Sequence, residues 1–188
     1  YQLNQQQLEQ FTKRGVDLEE WKADKAEATG RYYRLMTDHV KEVLKNIKKV
    51  YPDYDPKQSY ELAGFVWFQG WNDMCDGSTY PNRNKPGGYD LYSELLAHFI
   101  RDVRKELNAP KLPFVIGVMG VGGPIDTYPP DQQRYKAVHH NFRMAMAAPA
   151  ALPEFRGNVV AVRTEAYWDT EVVALRARES TIKPQADE

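Results

Sequence analysis

Gln69-Gly70-Trp71-Asn72-Asp73 sets two side-chain amides on either side of a glycine, directly after an uninterrupted apolar run. Neutral amide donors at the end of a strand suit an atom that gains negative charge during a reaction, because they stabilise it without giving up a proton. Gly70 has no Cβ and lets the backbone approach a ligand closely. Gln69, Gly70 and Asn72 are therefore the candidate oxyanion-stabilising group. The competing reading is a pair of amides that tie down a loop.

Such a group needs elements that hold it. Residues 62–68 are apolar or glycine at every position, which fits a strand covered on both faces. Phe114 to Val118 reads as a second buried strand, and 158–163, after the turn Glu154-Phe155-Arg156-Gly157-Asn158, as a third. Between them, Asp90 is a candidate N-cap for a helix whose apolar face is Leu91, Leu95, Leu96, Phe99, Val103 and Leu107. Further helices are expected over 130–148 and about 170–178.

Upstream, 3–13 reads as a short helix and Asp17 as a cap. Residues 21–50 read as one long helix with Met36, Val40, Val43, Leu44, Ile47 and Val50 on one face. Prolines at 52 and 56 end it. The alternation predicts an α/β protein of three layers, with helices on both sides of a mainly parallel sheet. Ligands of such sheets collect beyond the carboxyl ends of the strands, and the loops 69–90, 119–129 and 164–169 fall there.

Composition narrows the partners. The chain of 188 residues has a net charge of -1, from 25 basic and 26 acidic residues spread along it, so no footprint for nucleic acid or an anionic membrane is expected. Apolar runs such as Phe65 to Phe68 are too short to cross a bilayer, and no basic-then-apolar leader opens the chain. Cys75 is the single cysteine and neither closes an internal disulfide nor makes a structural zinc site. A single domain is expected, divided into a mainly helical segment, 1–58, and an α/β core, 59–188.

The block Gly70, Trp71, Asn72, Asp73 matches the Gly-x-Asn-Asp block of the SGNH hydrolase superfamily. The surrounding "GFVWFQGWND", the Tyr-rich loop, "YSELLAHFIRDVRKEL" and "LPFVIGVMG" resemble its sialate O-acetylesterase-like carbohydrate esterases, over about Tyr32 to Asp169. The resemblance implies a flavodoxin-like SGNH hydrolase fold and removal of O-acetyl groups from a glycan or sialic acid-like sugar. It implies a serine nucleophile, a histidine base and an oxyanion hole drawn from Gln69, Gly70 and Asn72, with no metal or cofactor. It also implies export to a secreted or periplasmic location.

Trp71, Tyr80 and Tyr89 then become candidate sugar-contacting rings, or rings that pack the loop against the body. Asp73 joins this substrate-binding set and is expected mainly to brace the loop. Two departures stand out. The family's Gly-Asp-Ser or Gly-Gln-Ser-Asn nucleophile segment is missing, and no histidine has an aspartate three residues before it. Asp76-Gly77-Ser78 reads as a turn. The expectation is therefore a partial domain, incomplete at both ends and lacking its nucleophile and base; the alternative is a non-catalytic glycan-binding module on the same fold.

Other signals have plainer readings. Gly120 to Gly123 lacks the Lys-Ser/Thr of a phosphate-binding loop and reads as a tight turn. His139 and His140 are adjacent on a helix and point apart, so they do not share a metal. Glu165 and Asp169 flank a strand end, with Asp169 the expected cap of the last helix.

Overall fold

A computed structural model describes residues 5–186, and the chain divides into two compact units at Tyr60 and Glu61. The first unit holds α1 (Gln5–Lys13), α2 (Leu18–Ala28), α3 (Arg31–Lys45) and α4 (Ile47–Val50). The start of the 3–13 expectation falls partly outside the described residues. Asp17 caps α2 as expected, its Oδ1 accepting from the amides of Glu19 (2.8 Å) and Glu20 (3.1 Å). The single long helix over 21–50 is instead three. Thr29 turns extended and Gly30 takes φ 70°, which ends α2, and Asn46 separates α3 from α4. The apolar period runs straight through these breaks, because periodicity records which face is buried and not where the backbone turns.

The second unit contains β1 (Phe65–Trp67), α5 (Trp71–Cys75), α6 (Asp90–Glu106), β2 (Phe114–Val118), α7 (Lys136–Ala147), β3 (Val159–Arg163) and α8 (Thr170–Ala186), with short 3₁₀ turns between them. All pairings are parallel, in the order β1-β2-β3; Phe65 lies opposite Phe114, which lies opposite Val159. This is the α/β class with the parallel sheet that the sequence predicts.

Helices α6 and α7 bury one face of the sheet. Phe114, Ile116 and Val118 from β2 join Leu96 and Ile100 of α6 and Phe142 and Met146 of α7 in one core cluster. Burying each such side chain stabilises the unit by roughly 1.5–3 kcal/mol. On the other face, within the second unit, Val66 is 71% exposed, Val160 51% and Val162 42%. The apolar run at 62–68 thus does not mark a strand buried at every position; within β1, Phe65 and Trp67 turn inward, where they pack on Phe114 and Phe99, and Val66 is exposed.

Two buried arginines hold the ends of the sheet. At the amino end, Arg104 donates from Nη2 to the carbonyl of Leu112 (2.9 Å) and to Asn158 Oδ1 (2.7 Å), just ahead of β2 and β3. At the carboxyl end, Arg143 of α7, 2% exposed, donates to the carbonyls of Met119 (3.0 Å), Val121 (2.9 Å) and Gly123 (2.8 Å). A carbonyl buried without a donor costs about 1–3 kcal/mol, so each of these bonds fixes where the loop can go.

Candidate active site

Directly after β1 the chain turns at Gly70 into α5, so Gln69 to Asp73 stand at the carboxyl end of the sheet. Gly70 has φ 152°, and a Cβ there would come within 2.7 Å of Phe142 and 3.2 Å of the Tyr92 hydroxyl. Its missing side chain makes room for the core and not for a ligand, which corrects the reading of Gly70 as a point of close substrate approach. The turn is locked from beneath: Trp67 Nε1 donates to Tyr92 Oη (3.2 Å), and Tyr92 donates to the Gln69 carbonyl (2.8 Å). Burial pushes the Tyr92 hydroxyl above its ordinary range, so it stays a donor.

Gln69 Nε2 donates to Asp73 Oδ2 (3.2 Å), and the Tyr80 hydroxyl donates to Asp73 Oδ1 (3.4 Å). Asp73 therefore braces the loop and occupies the Gln69 amide. Gln69 and Asp73 line a small cavity of about 190 Å³ beside Trp67, Tyr92 and Leu95. Asn72 behaves differently. Its side chain is exposed and makes no hydrogen bond to another described residue.

Tyr80 and Tyr89, candidate sugar-contacting rings, are 3% and 1% exposed. Their rings pack on each other with centroids 5.0 Å apart, and Tyr89 donates to the Met74 carbonyl (2.7 Å). Burial raises both hydroxyls to about 12. Neither presents a face to solvent, so the loop-packing reading is the correct one for both. Arg83 adds to the anchoring through the carbonyls of Met74 and Cys75. Asp76-Gly77-Ser78 is the expected turn: Asp76 Oδ1 accepts from Ser78 Oγ and from the amides of Ser78 and Thr79, and these bonds hold its carboxyl well below the usual carboxylate range.

Residues 7–165 match a family of carbohydrate esterases, the sialic acid-specific acetylesterases. The chain belongs to this family. No curated protein and no solved structure matches it.

In this acetylesterase-family chain an aromatic groove opens at the ends of the strands. Trp71, 53% exposed, faces a groove of about 520 Å³ with Phe68, Val121, Thr164, Tyr167 and Trp168. All the loops after β1, β2 and β3 contribute. The Phe68 ring lies over Gly117, where a Cβ would meet it at 2.4 Å. Gly120 packs on the Thr164–Glu165 backbone so closely that a Cβ would sit 2.4 Å from the Thr164 carbonyl carbon, and Thr164 Oγ1 donates to the Val118 carbonyl (2.7 Å). Tyr167 and Trp168, after β3, share this groove with Phe68 and Trp71, after β1, although β2 lies between the two strands.

Behind the groove, the family chain holds a polar cluster that sequence spacing does not reveal. Tyr128 Oη meets His139 Nδ1 at 2.6 Å and the Val121 carbonyl at 3.0 Å, and Arg143 donates to the same hydroxyl (3.3 Å). Burial, helped by Arg143, pushes the His139 imidazole down to about 4, so it is neutral. His139 is thereby committed to Tyr128 and to stacking on Tyr135. Glu165 pairs with Arg163 through Oε1 (2.6 Å), while Oε2 is buried and meets no donor from another described residue. Asp169 caps α8 as expected, Oδ1 accepting from the amides of Glu171 (3.0 Å) and Val172 (2.9 Å).

Proposed function

We propose that this chain carries the oxyanion-stabilising face of a carbohydrate O-acetylesterase that deacetylates a glycan by a serine-dependent route. The observation that supports it is the Asn72 side chain, exposed and without an intrachain partner, in the Gly-x-Asn-Asp block at the end of β1 of a carbohydrate esterase chain.

In this reading a serine hydroxyl adds to the acetyl carbonyl while a histidine takes its proton, and the carbonyl oxygen becomes an oxyanion. Asn72 Nδ2 donates to that oxyanion. Collapse returns the proton to the departing sugar oxygen, and water then releases acetate from the acyl-serine. Gln69 and Asp73 position the block, since their polar atoms already bind each other.

In this reading the serine and the histidine base are groups other than Ser78, Ser93 and His139. Ser78 gives its hydroxyl to Asp76 and Ser93 to the Ala145 carbonyl (2.9 Å), and His139 is held by Tyr128. The same observations favour a second reading, a glycan-binding module without turnover. The deciding experiment is acetate release from acetylated xylan by the full-length polypeptide that contains this chain. Asn72→Ala should lower kcat about a hundredfold, the usual effect of losing one oxyanion donor. Its denaturation midpoint should not move. An unchanged kcat removes Asn72 from the chemistry, and no acetate release from any acetylated glycan favours the binding module.

A further inference from the structure

The groove between Trp71 and Trp168 has the chemistry of a ring subsite. Its volume, about 520 Å³, falls in the range of small-ligand sites. Its walls are aromatic: Phe68 is 64% exposed, Trp71 53% and Tyr167 81%, far more than packing against a loop would leave open. Its lining residues carry donors that meet no acceptor among the described residues. The indole N–H groups of Trp71 and Trp168 and the Tyr167 hydroxyl bind no other described residue, nor does the backbone amide of Val121.

The floor is preformed, because Arg143 fixes the carbonyls of Met119, Val121 and Gly123 from below. No charged side chain lines the groove. Of the charges next to lining residues in sequence, Arg163 and Glu165 are paired with each other at 2.6 Å, and Asp169 accepts from the amides of Glu171 and Val172, so no free cation is among them.

An occupant must therefore offer a flat apolar face to stack, oxygen acceptors around its edge, and no net charge. We propose that this groove binds a neutral pyranose ring of an oligosaccharide, and that it selects such a ring over one bearing a carboxylate, as sialic acid does. The C–H face of a pyranose lies on the aromatic rings and its hydroxyl oxygens accept from these donors. A carboxylate held there would lose water and gain no cation. The proposal rests on the glycan esterase reading, since Trp71 immediately precedes Asn72, and it narrows the substrate to an acetyl ester carried on a neutral chain.

The test is equilibrium binding to the full-length polypeptide that contains this chain, read by tryptophan fluorescence and by saturation transfer to sugar C–H protons. The probes are the neutral tetrasaccharides of xylose, glucose, mannose and galactose and, separately, the methyl glycoside of N-acetylneuraminic acid. At least one neutral tetrasaccharide should bind, and its affinity should fall about tenfold in Trp168→Ala, the loss expected for one stacked ring. Trp168→Phe should restore most of it, which a merely misfolded loop would not allow. The sialoside should bind about tenfold more weakly than the best neutral probe, having no cation to meet its carboxylate.

Equal or tighter binding of the sialoside overturns the proposal, as does binding of no probe or an unchanged affinity in Trp168→Ala. Neutral-probe binding with no Asn72-dependent acetate release from the full-length polypeptide leaves the groove standing and removes the esterase reading. Acetate release that depends on Asn72 without tetrasaccharide binding removes the groove alone.

Discussion

Gly70 and Asn72 sit two positions apart and have opposite obligations. Gly70 belongs to the core: a methyl group there would overlap Phe142 and force the chain out of a backbone region that side chains rarely adopt. Gly70→Ala should destabilise the protein by about 2–4 kcal/mol, visible as a lower urea midpoint. The sequence shows the glycine, yet only the packing of α7 shows what fills the space it leaves. Tyr80 and Tyr89 make the same point in reverse, since an aromatic residue in a polar loop has the same letter whether its ring faces a sugar or Phe142. Tyr89 does the second, with its centroid 4.9 Å from Phe142. The place of Asn72 at a strand end was legible because its block is short, contiguous and follows a strand.

At the level of elements, β2, α6, α7 and β3 lie close to where periodicity predicts them. The errors have one cause, which is that an apolar pattern fixes a face to within a residue or so and leaves the ends open. On α6 the buried stripe is Tyr92, Leu96, Ile100 and Val103, while Leu91 and Leu95 are 45% and 54% exposed. Asp90, the expected cap, is instead the first residue of the helix and Tyr89 precedes it without a side-chain cap bond. Where a cap has its acceptor in place the prediction succeeds, as with Asp17 and Asp169. Asp169→Ala should cost α8 about 1 kcal/mol. Hydrogen exchange at the amides of Glu171 and Val172 should accelerate in that variant while exchange in α6 is unchanged.

For the molecule as a whole, stability should depend on pH through the cluster behind the groove. The unfolded chain takes up the His139 proton near its ordinary 6.5, whereas the folded chain holds it off until about 4. The unfolded state thus binds more protons across that window, and stability falls as pH drops through it. Tyr128, Tyr135 and Arg143 are the groups that face His139, and none of them supplies a counter-charge. Urea midpoints at pH 7.5 and 4.5 should differ for the parent chain and differ less for His139→Gln. An equal drop in both would assign the loss to carboxylates such as Glu154 and Glu165, which are held below their ordinary value and begin to lose stability as pH falls toward it.

The whole-molecule architecture was legible as an α/β chain with a parallel sheet, because β-α-β alternation leaves few other topologies. The exposure of Val66, Val160 and Val162 was not, since an apolar residue reads the same whether covered or bare.

The grip of Arg143 on the crevice differs in kind from the protein's surface ion pairs. No carboxylate hydrogen-bonds it; its partners are carbonyl dipoles and a phenol, sealed from solvent. Mobile ions screen charges that face water, such as Arg101 and Glu154, and have little access to a guanidinium among buried dipoles. Raising ionic strength should therefore slacken the outer seam between α6 and the turn at Glu154 while leaving the shape of the groove untouched.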